Sequence, residues 1–197
     1  MAEAVGRCVS DVLDFWFLAE GAEGYGASRP EWWRKSEEFD ATVRARFGSL
    51  VEQAVAGELE AAWKATPRGA LAHIILLDQF TRNIYRGTAA AWSGDERALR
   101  CANDMVESGA LLELAPPMLQ TFALMPLMHA EDAASQDISV REFTALAQRS
   151  PTASFVSFAE KHRDCIAQYG RFPSRNQYLG RESSQAELDY LEAGGGF

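Results

Sequence analysis

The chain has 197 residues, 47% apolar and 24% charged, proportions of a soluble globular protein with a sizeable core. Its net charge of −9 and pI near 4.9 argue against a nucleic-acid or anionic-membrane footprint. No run approaches the roughly 18 apolar residues of a membrane span, so the expectation is one domain, 1–197, without nucleic-acid or membrane partners.

The N-terminal stretch MAEAVGRCVSDVLDFWF carries Glu3 and Asp11 and lacks a basic start before an apolar run. It does not read as a secretory leader, and the cytoplasm is expected. Cys8, Cys101 and Cys165 are dispersed, which gives neither a disulfide framework nor a CxxC metal spacing. They read as reduced thiols.

Taken in chain order, start and stop signals divide the sequence into helical segments. These lie near 10–20, 31–56, 58–64, 67–85, 94–108, 116–136, 140–148, 151–169 and 185–193. Four S-x-x-E stretches have capping-box form, beginning at Ser28, Ser93, Ser139 and Ser184. Thr66-Pro67 and Ser150-Pro151 place a cap before a proline at the first helical position. Gly21, Gly24 and Gly26 form a loop that follows no strand, so they do not read as a phosphate-binding turn. Pro126 lies inside the 116–136 segment and predicts a kink just before His129. Alternating strand patterns are nearly absent, and 11 Phe and 5 Trp are available to fill helix–helix gaps. The expected fold is all-α, antiparallel helix pairs with short connections, followed by an ordered loop over residues 168–182.

Three polar clusters interrupt this apolar pattern. In HIILLDQFTRNIYRG, Asp78 and Arg82 are four apart on one helix face, with Asn83 beside them. A buried carboxylate there needs pairing, and Arg82 can supply it bidentately. The second cluster, in the 116–136 helix, places His129, Asp132 and Gln136 on one stripe, with Glu131 nearby. A histidine beside a carboxylate serves as an oriented base or a metal ligand. A di-metal bundle needs two E-x-x-H pairs, however, and the chain has one reversed H-x-x-D, so neither metal nor cofactor is expected. The third cluster is His162 with Arg171, Arg175, Asn176 and Arg181, which can clamp a carboxylate or phosphate. Each cluster also has a plain reading: an internal ion pair, a satisfied core histidine, and arginines that tie a loop to helix ends. No G-x-S-x-G, Walker loop or H-E-x-x-H is present to specify a nucleophile or metal.

The phrases LLDQFTRNIYRGTAAAW, FALMPLMHAEDAASQD and YGRFPSRNQYLGRESSQAELDYLEAGGGF, with VLDFWF and EWWRKSEEFDATVRARFG, resemble the bacterial domain-of-unknown-function family 924 from about residue 10 to the end. The resemblance implies an all-α, tetratricopeptide-like array and brings no established activity. It matches Asp78, Gln79, Arg82, Asn83 and Arg86; His129, Glu131, Asp132 and Gln136; and His162, Arg171, Arg175, Asn176, Gly180 and Arg181. Ala130 departs from the family's small hydroxyl residue at that position.

Two functions follow as expectations. The first is a helical binding module whose polar groove takes a small anionic ligand or a peptide. The second is an enzyme with His129 or His162 as acid/base and Arg82 or Arg175 as substrate anchor. A third reading makes the polar groups a closed network that pins the helices.

Overall fold

The computed structural model describes residues 2–151 and 154–196, which form helices and turns with no strand among them. Helix α1 (Ala2–Phe17) buries Val12, Leu13, Trp16 and Phe17, the 3-4 spacing of one helical face. The Arg29 guanidinium donates to the carbonyls of Phe15 and Trp16, and the Trp32 indole also donates to Trp16, so side chains satisfy the end of α1. In the loop that follows, a Cβ at Gly26 would lie 2.1 Å from the Pro116 ring, so glycine is required there.

Helix α2 (Glu37–Ala56) starts where the Ser36 side chain accepts from the Phe39 amide, with Glu37, Glu38 and Asp40 in its first turn. It buries Val43, Phe47, Val51 and Ala54 and stops at Gly57 in the left-handed conformation. The short α3 (Glu60–Trp63) leads to α4 (Pro67–Ile74), which Thr66 caps through the Gly69 amide, as the Thr-Pro signal predicts. The chain then widens into a π-helical turn, Ile75–Phe80, before α5 (Thr81–Ile84). The predicted 67–85 helix is therefore continuous but not uniform. Residues 69–78 are buried on every side, as befits a central helix.

Helix α6 (Asp95–Ser108) precedes α7 (Pro117–His129), whose residues 118–128 are all buried. The predicted 116–136 helix ends at His129 instead. Ala130 is extended, Asp132 caps α8 (Ala133–Arg149) by accepting from the Ser135 amide, and the predicted 140–148 helix is the later part of α8. The stripe His129–Asp132–Gln136 therefore does not exist, because the break between α7 and α8 separates its members. Pro126 lies within α7 and does not end it. The start of the predicted 151–169 helix includes residues 152–153, outside those described; α9 runs Val156–Tyr169. The C-terminal wrap contains a 3-10 turn (Pro173–Arg175), α10 (Asn176–Leu179) and α11 (Gln185–Glu192).

Of the four predicted capping boxes, only Ser184–Glu187 forms. Ser28 accepts from the Trp33 indole, Ser93 donates back to the Ala90 carbonyl, and Ser139 lies inside α8. Ser150 ends α8, and whether it caps a following helix turns on residues 152–153, outside those described. A box needs an extended residue ahead of unbonded N–H groups, and in mid-helix those groups already have carbonyl partners. One core cluster draws on α1, α2, α4, α6, α7, α8 and α9, with consecutive helices α7, α8 and α9 packed on one another. No described helix is long and apolar enough to cross a membrane.

Candidate functional site: a two-lobed cleft at the end of α7

The site forms where the π-helical turn meets the C-terminal end of α7. The turn carries Asp78, fully buried, and π-helical turns often mark functional positions. His129, the last residue of α7, has its Nδ1 2.7 Å from Asp78 Oδ1. Arg82 Nη1 lies 3.1 Å from the same oxygen, and the Gln79 amide donates to Oδ2 at 2.6 Å. Burial by itself raises the Asp78 pKa, but Arg82, His129 and Gln79 outweigh it and hold the carboxyl well below the usual carboxylate range. Asp78 is therefore ionised and can only accept, so the proton on Nδ1 belongs to His129. A neutral His129 then presents Nε2 as an acceptor, and Nε2 makes no hydrogen bond among the described residues.

The bidentate partner of Arg82 is Asp95, at the start of α6, with bonds of 2.8 and 3.0 Å; Asp78 receives a single nitrogen. The expected bidentate Asp78–Arg82 pair is thus corrected, because Arg82 also donates to the Asp78 carbonyl and its outer edge turns to α6. Arg175 approaches from the wrap. It donates to the His129 carbonyl at 2.9 Å and reaches Asp95 Oδ2 only at 3.5 Å. Its guanidinium lies over the rings of Phe172 (4.6 Å) and Trp92 (5.7 Å). Burial and the neighbouring Arg82 push the Arg175 pKa down to about 10. His162 donates from Nδ1 to the Phe158 carbonyl and packs 6.1 Å from His129 and 5.4 Å from Phe172, ring to ring. Burial lowers its pKa to about 3, so it is neutral at physiological pH.

Asp78, Arg82, His129, His162 and Arg175 are therefore brought together. The other predicted residues bond partners outside this group, Arg86 while still lining the adjoining cavity. Asn83 and Arg86 donate to Asp40 of α2. Glu131 accepts two bonds from Arg181 and one from the Phe172 amide. Asp132 is a cap, and Gln136 donates to the Met128 and Ala130 carbonyls at the end of α7. Arg171 pairs with Glu187, and Asn176 bonds Arg181 and Ser183. The expected cluster of four wrap residues around His162 thus dissolves; of these only Arg175 reaches the site, since Glu187 and Ser183 of the wrap and Glu131 of the α7–α8 connection take the others.

Two open cavities share Arg82, His129 and His162. The first, about 360 Å³, is lined by those three with Arg86, Arg175, Trp92, Phe172 and Tyr178. The second, about 730 Å³, is walled chiefly by Trp32, Trp33, Met125, Met128, Phe155 and Phe158. Both sizes suit small-molecule sites. Asp95 and Trp92 escape sequence reasoning: an acidic residue in the first turn of a helix reads as a dipole partner, and nothing local marks Trp92. The described residues hold no cluster of three or more His, Cys, Asp or Glu able to bind a metal.

Fold and cleft together define an all-helical protein with a polar–aromatic cleft built from six separate stretches of chain. The chain belongs to the bacterial protein family of unknown function DUF924, whose model matches residues 12–195. It is similar to a solved structure, that of the protein of unknown function ATU0120 from Agrobacterium tumefaciens. The two are 32% identical with a TM-score of 0.83, covering 96% of this chain and 99% of that one. No curated protein matches the chain.

Proposed function

We propose that the cleft binds a small molecule through an anionic group held at Arg175. The observation that carries this is the cleft's lining. In a chain of net charge −9, no Asp or Glu lines either lobe among the described residues, while three arginines line the first. Asp78 and Asp95 lie behind that surface, engaged by His129 and Arg82, which leaves Arg175 one long carboxylate contact, 3.5 Å to Asp95. Stacked rings hold its fork in place for an incoming acceptor. Calorimetric titration with acetate, inorganic phosphate and octanoate tests the reading. At least one should bind wild type, and Arg175→Gln should abolish acetate and phosphate binding and weaken octanoate; binding indifferent to that substitution would remove Arg175 as the anchor.

The 2.7 Å Asp78–His129 contact favours a second reading, acid–base catalysis in the same cleft. The carboxylate fixes the tautomer and stabilises the imidazolium, and Nε2 takes a substrate proton. Arg175 and Arg82 then anchor the substrate. A hydrolase and lyase panel with His129→Ala as control tests it; activity unchanged in that variant would exclude His129. We read the chain as one cytoplasmic domain of stacked helix pairs. Its three unpaired thiols fit a reducing compartment, and its shared core fits a single folding unit.

A further inference from the structure

We infer that the molecule taken by this cleft is amphipathic, with an anionic group at Arg175 joined to an apolar chain or ring that lies in the second lobe. The inference rests on the anion-site reading and adds the other half of the ligand. The lobes adjoin, since Arg82, His129 and His162 line both, so a ligand headed at Arg175 has the second lobe as its nearest apolar space. The chemistry changes sharply from one lobe to the other. The first presents cations and ring faces to an anion. The second presents aromatic rings and two methionines, and its remaining polar lining is Gln79 together with the three shared residues.

The rim of the second lobe leaves large aromatics in water. Trp33 is 48% exposed and Phe158 49% exposed, whereas most large apolar side chains of this chain are buried. Exposed rings that border a concave apolar surface mark a place where an apolar group is expected. These rings are also held in place. Trp33 stacks against Phe122 at 6.1 Å and Phe155 at 5.6 Å, and its indole donates to Ser28. Phe155 in turn packs on Phe143 and Phe158. The wall therefore exists before a ligand arrives, and Met125 and Met128 supply adaptable packing at its base.

Each buried methylene strengthens binding roughly threefold to fourfold. Octanoate or 3-phenylpropanoate should therefore bind wild type at least about tenfold tighter than acetate, and quench tryptophan fluorescence through Trp32 and Trp33. Arg175→Gln should bring octanoate down to the level of octan-1-ol, which has the tail without the charge. Phe158→Ser, a substitution of an exposed ring, should weaken octanoate at least about threefold and leave acetate unchanged. Three results overturn the proposal. If acetate matches both longer acids and all are lost in Arg175→Gln, the anion site stands and the apolar half falls. If octan-1-ol matches octanoate in wild type, the pairing of head and tail falls. If no anion depends on Arg175, the anion-site reading falls and takes this inference with it.

Discussion

In the C-terminal wrap, Arg171 meets Glu187 with two nitrogens at 2.6 and 2.9 Å, and Arg181 meets Glu131 the same way at 2.6 and 3.0 Å. In the cleft, Arg82 and Arg175 turn to one carboxylate, Asp95, which Arg82 holds closely and Arg175 barely reaches. Asp78 is occupied by His129 and by the same Arg82 Nη1 that also reaches Asp95. The residue types are alike in the two regions, but the pairing differs. The wrap closes Arg171 and Arg181 each onto its own anion, which suits a clasp. The cleft leaves a cation and an imidazole edge over open volume, which suits recognition. A count of charges does not separate these cases; the geometry of each pair does.

The largest expected effect breaks the cleft at its centre. Asp78→Asn removes a buried charge with three partners, and urea denaturation should show a loss on the order of 3 kcal/mol. A loss below about 1 kcal/mol would mean that the pair does not hold this region together.

An acid titration should separate the regions by pH. His162 and His73 have pKa values pushed down to about 3 and about 4 by burial, below the ordinary 6.5. His73 is fully buried, and neither ring nitrogen has a hydrogen-bond partner among the described residues. The unfolded chain therefore takes up protons first as pH falls. The stability these two contribute is complete above about 6.5 and declines from there down to about 3–4, by up to roughly 3 kcal/mol each. In the wrap the Arg171 bond holds Glu187 down to about 2, and Glu131 is also lowered: burial opposes this, but Arg181 and the Phe172 amide outweigh it. The contribution of these carboxylates is present above the usual 4.5 and is lost only below it. Stability measured from pH 7 to pH 3 should thus start to fall near 6.5, and His162→Asn should flatten that first decline. An unchanged slope would show that His162 does not set it.

Glu131→Gln should cost about 2 kcal/mol by weakening charged bonds to Arg181 and the Phe172 amide. Faster hydrogen exchange at the Phe172 amide would show the wrap loosening; unchanged exchange would mean that other contacts hold it. The smallest effect is expected at the residue with the largest proposed role in binding. Arg175→Gln removes a buried cation whose one ion pair, to Asp95, is long at 3.5 Å, so stability should stay within about 1 kcal/mol of wild type. A much larger loss would make Arg175 a structural clasp like Arg171.

The helical character and most helix positions are legible in the sequence, because apolar spacing and the Thr66 and Ser184 caps are local signals. The break after His129 is not, since residues 130–136 keep helix-compatible types and the Asp132 cap resembles another polar residue of a stripe. The π-helical turn at Asp78 has no local signature. Among the candidate residues, Asp78–Arg82 is foreseeable from the i,i+4 spacing, and the resemblance draws attention to His129, His162 and Arg175. Nothing in the sequence separates Arg175 from Arg171 and Arg181, which stand in the same loop.

By itself the sequence determined an all-helical chain with a large aromatic core and three polar clusters, because periodicity and capping act over a few residues. Only the tertiary structure decided which polar groups neutralise one another and which face open space. Arg175 is 80 positions from Asp95 yet competes with Arg82 for its charge. Electrostatic pairing depends on distances of a few ångströms in space, and sequence separation carries almost no information about those.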